Sequence, residues 1–186
     1  MSYQEPLGWK WMTPRDRAAR VVRRLDEIPV EIPRFERGDI TSTLELAAAT
    51  APTAIICVTS YSGFGLHLIG TVCRLFPGYF SNFIFVSTAP ERELGRYVTW
   101  ARAHELRADR RAARGSEMIS ALHETCRQLL CEYPGGVVIF GKAIFREREF
   151  PWSPYSNMVS TLERRLLFDE IKTLVLPITV PDSQES

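Results

Sequence analysis

The stretch Ala54-Ile-Ile-Cys-Val-Thr-Ser-Tyr-Ser-Gly-Phe-Gly-Leu-His67, taken with Arg74-Leu-Phe-Pro-Gly-Tyr-Phe-Ser-Asn-Phe-Ile-Phe-Val-Ser87, decides the fold. Residues 54–60 form an unbroken run rich in β-branched and apolar side chains, which reads as a strand buried on both faces. A glycine-rich turn follows at 60–65. Leu66, Ile69, Val72, Cys73 and Phe76 then recur at helical spacing until Pro77-Gly78 stops them. Residues 82–88 are a second buried strand. Strand, turn, helix and strand in that order make the repeating unit of a parallel sheet.

The alternation continues downstream. A helix over 91–105 places Leu94, Val98 and Ala101 on one face. Residues 107–114 are an arginine-loaded third strand, expected near a sheet edge. Ser116 is the expected cap of a third helix, with Ile119, Leu122, Cys126, Leu129 and Leu130 facing inward. Gly135-Gly136 turns the chain into a fourth strand, at 137–140 or slightly beyond. A fourth helix carries Val159, Leu162, Leu166 and Phe168, and residues 173–180 are an apolar fifth strand at the other expected edge. Five parallel strands joined by right-handed crossovers predict a three-layer α/β sandwich with the flavodoxin-like order 3-2-1-4-5. In that order the winding reverses between strands one and four, so the crevice at their C-terminal ends is the expected ligand site.

Upstream, Thr13-Pro14 with Asp16 is a helix start, and Ala18, Val21, Val22, Leu25 and Ile28 form one stripe. This predicts an amphipathic helix over 14–28, ended by Pro29 and Pro33. Residues 29–52 have no clear period and read as a linker, with a short helical turn near 43–49. The expected organisation is a basic helix and linker at 1–52, an α/β domain at 53–181 and a polar tail at 182–186.

A chain of 186 residues, 45% hydrophobic and 24% charged, can bury a real core. Its formal net charge of +1 gives no global field for nucleic acid or membrane. Charge is concentrated locally: between Trp9 and Arg24, Lys10, Arg15, Arg17, Arg20, Arg23 and Arg24 stand against Asp16 alone. Cys57, Cys73, Cys126 and Cys131 include no CxxC pair, which suits free thiols in a reducing compartment. No stretch approaches 18 consecutive apolar residues and no secretory signal begins the chain, so a cytoplasmic location is expected. Arg107, Arg110, Arg111 and Arg114 lack the interleaved aromatics of a nucleic-acid surface and read as a solvated edge.

Ser60, Tyr61, Ser62, Gly63 and Gly65 lie at the crevice, where two glycines let backbone approach a ligand and a helix start offers N–H groups to an anion. A tight turn with no ligand is the other reading. Leu68 stands where a dinucleotide fingerprint needs its third glycine, and no GK[ST] follows, so neither common phosphate motif is present. Ser87 ends strand two beside the crevice. Across it, after strand four, Gly141, Lys142, Arg146 and Arg148 could meet phosphate or a partner's acids, and Arg146-Glu-Arg-Glu149 reads equally as a charged loop. Trp152 and Tyr155 could stack on a base, pack at a dimer interface or close over this domain's own core, and Ser156 beside Tyr155 is a further ligand candidate. His67 reads as a structural histidine, and His104 and His123 have no partner implied by spacing. No HExxH or Cys/His cluster supports a metal, and no acid–base or nucleophile set points to catalysis.

The wording SYSGFGLH and RLFPGYFSNFIFVS resembles the cytosolic C-terminal domain of bacterial permeases of the amino acid–polyamine–organocation superfamily. That domain is similar to universal stress proteins. The resemblance spans roughly residues 15–180 and includes Arg23-Arg-Leu-Asp-Glu-Ile28 and Gly141-Lys142. It implies a non-enzymatic regulatory or accessory domain. Potassium importers of the same superfamily carry a stress-protein-like domain that binds cyclic di-AMP, so cyclic di-AMP or an adenine nucleotide is the implied ligand class. The G-x2-G-x9-G-[ST] pattern of ATP-binding stress proteins is missing: Ile144 and Tyr155-Ser156 stand at its places. The acidic, glycine-containing loop that relatives carry after strand two is also missing, since Ser87-Thr-Ala-Pro90 leads straight into a helix. A small nucleotide-hydrolysing or transferase enzyme and a ligand-free dimeric scaffold are the alternative readings. Expected partners are a second copy through strand five, and a transporter or the inner membrane surface through residues 9–28.

Overall fold

The computed structural model describes residues 13–33, 44–145 and 154–180. Five parallel strands, β1 (Thr53–Cys57), β2 (Asn82–Ser87), β3 (Ala108–Ala112), β4 (Gly136–Phe145) and β5 (Thr173–Val180), form one sheet in the order β3-β2-β1-β4-β5. The expected 3-2-1-4-5 sandwich is present. Helices α1 (Pro14–Val22), α2 (Gly63–Leu75), α3 (Glu91–Ala103), α4 (Met118–Glu132) and α5 (Pro154–Phe168) complete it.

Burial explains why β1 shows no alternation. Ala54 and Ile56 belong to one core, with α2 and α3, and Ile55 to the other, with α4 and α5. Both faces are dry, so both faces are apolar. Ile55 sits in register between Ile84 and Val138, which fixes the centre of the sheet. Asn82, fully buried, donates to the Thr53 hydroxyl and accepts from the Ala47 N–H, pinning the approach to β1.

Several boundaries differ from the sequence expectation. The stripe over 14–28 is α-helical only to Val22 and then tightens into a 3₁₀ turn, Arg23–Asp26. Thr13 is the expected cap, accepting from the Asp16 N–H. No helical turn forms at 44–48. α4 is capped by Glu117, not Ser116, because the longer carboxylate reaches the N–H groups of Ile119 and Ser120 together. β4 runs on to Phe145, since β5 pairs with it along its whole outer half. Phe168 falls off the buried face of α5 and is 86% exposed, while Val159, Leu162 and Leu166 are buried.

The segment before the sheet is packed into it. Val21 and Leu25 join the α2/α3 core, with Leu25 only 1% exposed, and Val22, Ile28 and Ile32 pack against that core. At the far edge, Arg111 makes a two-pronged pair with Glu132 and Arg114 pairs with Glu91. The arginine-rich strand is therefore an edge strand held by surface ion pairs.

Candidate crevice site

The crevice at the β1/β4 switch point is built by the turn between β1 and α2. Four of its backbone donors are engaged by the protein's own groups. The Tyr61 N–H donates to Glu93 Oε2 at 3.1 Å and the Ser62 N–H to the Tyr97 hydroxyl at 3.2 Å. The Gly63 N–H donates to the carboxylate of Asp26, and the Gly65 N–H to the Ser62 hydroxyl at 3.5 Å. A helix N-terminus carries partial positive charge and favours an anion. Here Asp26, from the segment before the sheet, supplies it.

The glycines have equally specific reasons. A side chain on Gly63 would collide with the Leu25 carbonyl, one on Gly65 with the Tyr97 hydroxyl, and one on Gly141 with the Phe64 ring at 2.8 Å. Each position is bare because another part of the chain fills the space. Tyr97 is the hub: its hydroxyl donates to the Ser60 carbonyl at 3.1 Å while accepting from Ser62. Burial pushes its pKa up to about 12, so it stays a protonated donor. Its ring lies against Phe85 and Tyr61, and the Arg96 guanidinium covers the Tyr61 ring at 4.0 Å.

Among the described residues a cavity lies on each side of Asp26. One, of about 310 Å³, lies between residues 19–26 and the turn; Arg23, Asp26, Ser60, Tyr61 and Ser62 form its polar wall and Phe64 and Ala143 its apolar one. The other, of about 520 Å³, opens between residues 25–30 and α3, beside Arg96 and Trp100. A third void of about 30 Å³ lies under Phe64 among Cys57, Leu122, Phe140 and Met158.

The residues singled out from sequence are thus only partly gathered. Ser60, Tyr61, Ser62 and Gly63 meet at the crevice, and Gly65 and Gly141 lie beneath it. Ser87 is buried and locally spent: its hydroxyl donates to the Thr59 carbonyl and accepts from the Ala89 N–H. Lys142 is exposed and shares its strand face with Phe140, so it points away from Ala143 and the 310 Å³ cavity. Arg146, Arg148 and Trp152 lie outside the described residues. Tyr155 and Ser156 lie in the first turns of α5, and their side chains are outside the described set.

The histidines are structural in placement. His67 faces the backbone of Leu25 and Ile28, and burial lowers its pKa. His104 bonds the Trp100 carbonyl at 2.8 Å and stacks on its ring. His123 does find a carboxylate that spacing did not imply, Asp169 at 3.0 Å on the far side of the molecule. Among the described residues no cluster of three metal-ligating side chains occurs. Cys57 and Cys126 are free thiols 3.8 Å apart, and the hydrogen bond between them, with burial, holds the Cys57 thiol well above its usual range.

Sequence reasoning missed Asp26, Glu93 and Tyr97. Tyr97 was reachable, since it shares the Leu94–Ala101 face at helical spacing. Asp26 and Glu93 touch the turn across 37 and 32 residues, and no local pattern announces that. Comparison with protein-family models, with curated proteins and with solved structures found no match.

Proposed function

We propose that this chain is a non-enzymatic regulatory or accessory domain, of the kind found behind the membrane helices of permeases, which senses a nucleotide at the β1/β4 crevice. The observation that carries the reading is the Asp26 carboxylate on the Gly63 N–H. It couples the basic segment, which in the resembling permeases leads from the last membrane helix, directly to the ligand crevice. A domain that reports occupancy to a neighbouring element needs such a connection. The 310 Å³ cavity is at the lower end of the range for small-molecule sites.

Partners follow from the same surfaces. The apolar stripe of the segment is spent on protein through Val21 and Leu25, and its solvent-facing basic side would meet a transporter or an anionic membrane surface. β5 is an edge strand and offers its outer side to a second copy.

A panel of ATP, ADP, AMP and cyclic di-AMP tests the reading by thermal shift and by turnover. A ligand at a hundred times its Kd stabilises by about 2.7 kcal/mol. The expected result is a raised Tm with at least one member and no turnover above a protein-free control. Specific turnover above that control would establish the enzyme reading instead. No shift with any member would leave a ligand-free scaffold.

A further inference from the structure

The 310 Å³ cavity is composite. Ala19, Val22, Arg23 and Asp26 make one side, and the β1–α2 turn with Ala143 makes the other. Neither part alone encloses it. We propose that residues 23–33 are a strap whose docking on α2 completes this site, so that occupancy and docking are linked, and that the occupant is a nucleoside monophosphate. The proposal rests on the nucleotide reading above and adds its ligand class and its regulation.

Three independent features fasten the strap. Leu25 is buried in the α2/α3 core. Asp26 binds the Gly63 N–H, and Gly63 has no room for a side chain because the Leu25 carbonyl lies there. Seven residues on, and so on the same face of α2, a side chain on Gly70 would come within 2.6 Å of Val30 Cγ1. Two bare positions on one helix face make a groove cut to the strap, and His67 between them faces the Leu25 and Ile28 backbone.

The cavity's chemistry selects the ligand. Among the described residues Arg23 is the one cation on its wall, beside the Asp26 carboxylate, and it can hold one phosphate. The N–H groups of Gly63, Tyr61, Ser62 and Gly65, which would otherwise cradle further phosphates, are held by Asp26, Glu93, Tyr97 and Ser62. Val22, Phe64 and Ala143 give an apolar wall for a flat ring, and Ser60 and Ser62 stand on the polar wall where a ribose would lie. The volume argues for a mononucleotide over a cyclic dinucleotide. A molecule touching both walls strengthens docking by the same factor by which docking strengthens its binding.

AMP titrated calorimetrically into the full chain, with amide hydrogen exchange over 23–33 and over β1, tests this. In the wild type AMP should slow exchange across 23–33. Gly70→Leu, which crowds Val30, and Leu25→Ala, which removes an anchor, should each speed that exchange at least tenfold and weaken AMP at least tenfold, with β1 still protected. Equal AMP affinity in a variant whose strap exchanges freely would overturn the linkage while leaving nucleotide binding intact. Unchanged strap exchange in both variants would overturn the strap. AMP binding to none of the three proteins would overturn the mononucleotide assignment, and ATP or cyclic di-AMP binding in its place would leave the nucleotide reading standing without it.

Discussion

The hydroxyl of Tyr97 occupies the space that a side chain on Gly65 would need. One phenol on α3 thereby sets the backbone path of the turn, bonding the Ser60 carbonyl and the Ser62 N–H on either side. Gly65→Ala should cost about 1–3 kcal/mol through overpacking. Tyr97→Phe should cost about 1–3 kcal/mol, because the Ser62 N–H and Ser60 carbonyl lose their partner. Urea midpoints of the two single variants check both figures.

Leu25 lies 40 residues before Gly65 in sequence, yet it is as buried as the sheet. Leu25→Ala should lower stability by about 2–5 kcal/mol if the segment unfolds with the domain. If the segment detaches first, trypsin should cut after Arg23 and Arg24 in the variant while the sheet core stays resistant. Timed digestion followed by mass analysis distinguishes the variant from the wild type, which should resist cleavage there.

His67 gives the docking a pH dependence. Its folded pKa is lowered, chiefly by burial, with Arg74 adding repulsion. The unfolded state therefore binds the proton more readily, and the fold that buries His67 against residues 25–28 weakens as pH falls through the ordinary histidine value of about 6.5. Hydrogen exchange over residues 25–30, corrected for intrinsic rates, should be better protected at pH 8 than at pH 5.5. The difference should vanish in His67→Gln.

Glu117 acts in the acid range. It is exposed, and its bonds to the Ser120 side chain, the Ser120 N–H and the Ile119 N–H lower its pKa. Its contribution is present above the usual carboxylate range and is lost as pH falls through the lowered value. Glu117→Gln should leave the start of α4 less protected at neutral pH, and the difference from the wild type should shrink in acid.

The sheet was legible because the information for it is local. Residues 54–57 and 82–87 are apolar without interruption, turn residues separate every element, and the alternation of strands and helices permits one sensible winding. β4 was read short because Lys142 breaks its apolar run, and only pairing with β5 extends it to Phe145. The crevice was legible as a place, and its contents were not. Gly63, Gly65 and Gly141 look the same in sequence whether they admit a ligand or admit Leu25, Tyr97 and Phe64. The strap was legible only in part: Leu25 and Ile28 stand on the apolar stripe, and the path beyond them is not announced. Pro29 and Pro33 abolish periodicity where the chain runs across α2, so what holds it there is contact with residues more than 30 positions away.

A second copy should pair along β5, whose outer side has no strand partner among the described residues. Pro177 removes one donor and leaves the rest. Light scattering at tens of micromolar (about the scale of ordinary purification) should give a twofold dimer, the commonest closed assembly. A monomer mass there would refute it.

The account turns on Asp26 holding the N-terminus of α2, and the exchange rate of the Gly63 amide proton measures that contact directly. A hydrogen bond to a charged group contributes about 1.5–3 kcal/mol, so Asp26→Ala should speed Gly63 exchange by about tenfold or more. The Ile55 and Ile56 amides in β1 should keep their protection. Unchanged exchange at Gly63 in Asp26→Ala, with the fold intact, would contradict the account.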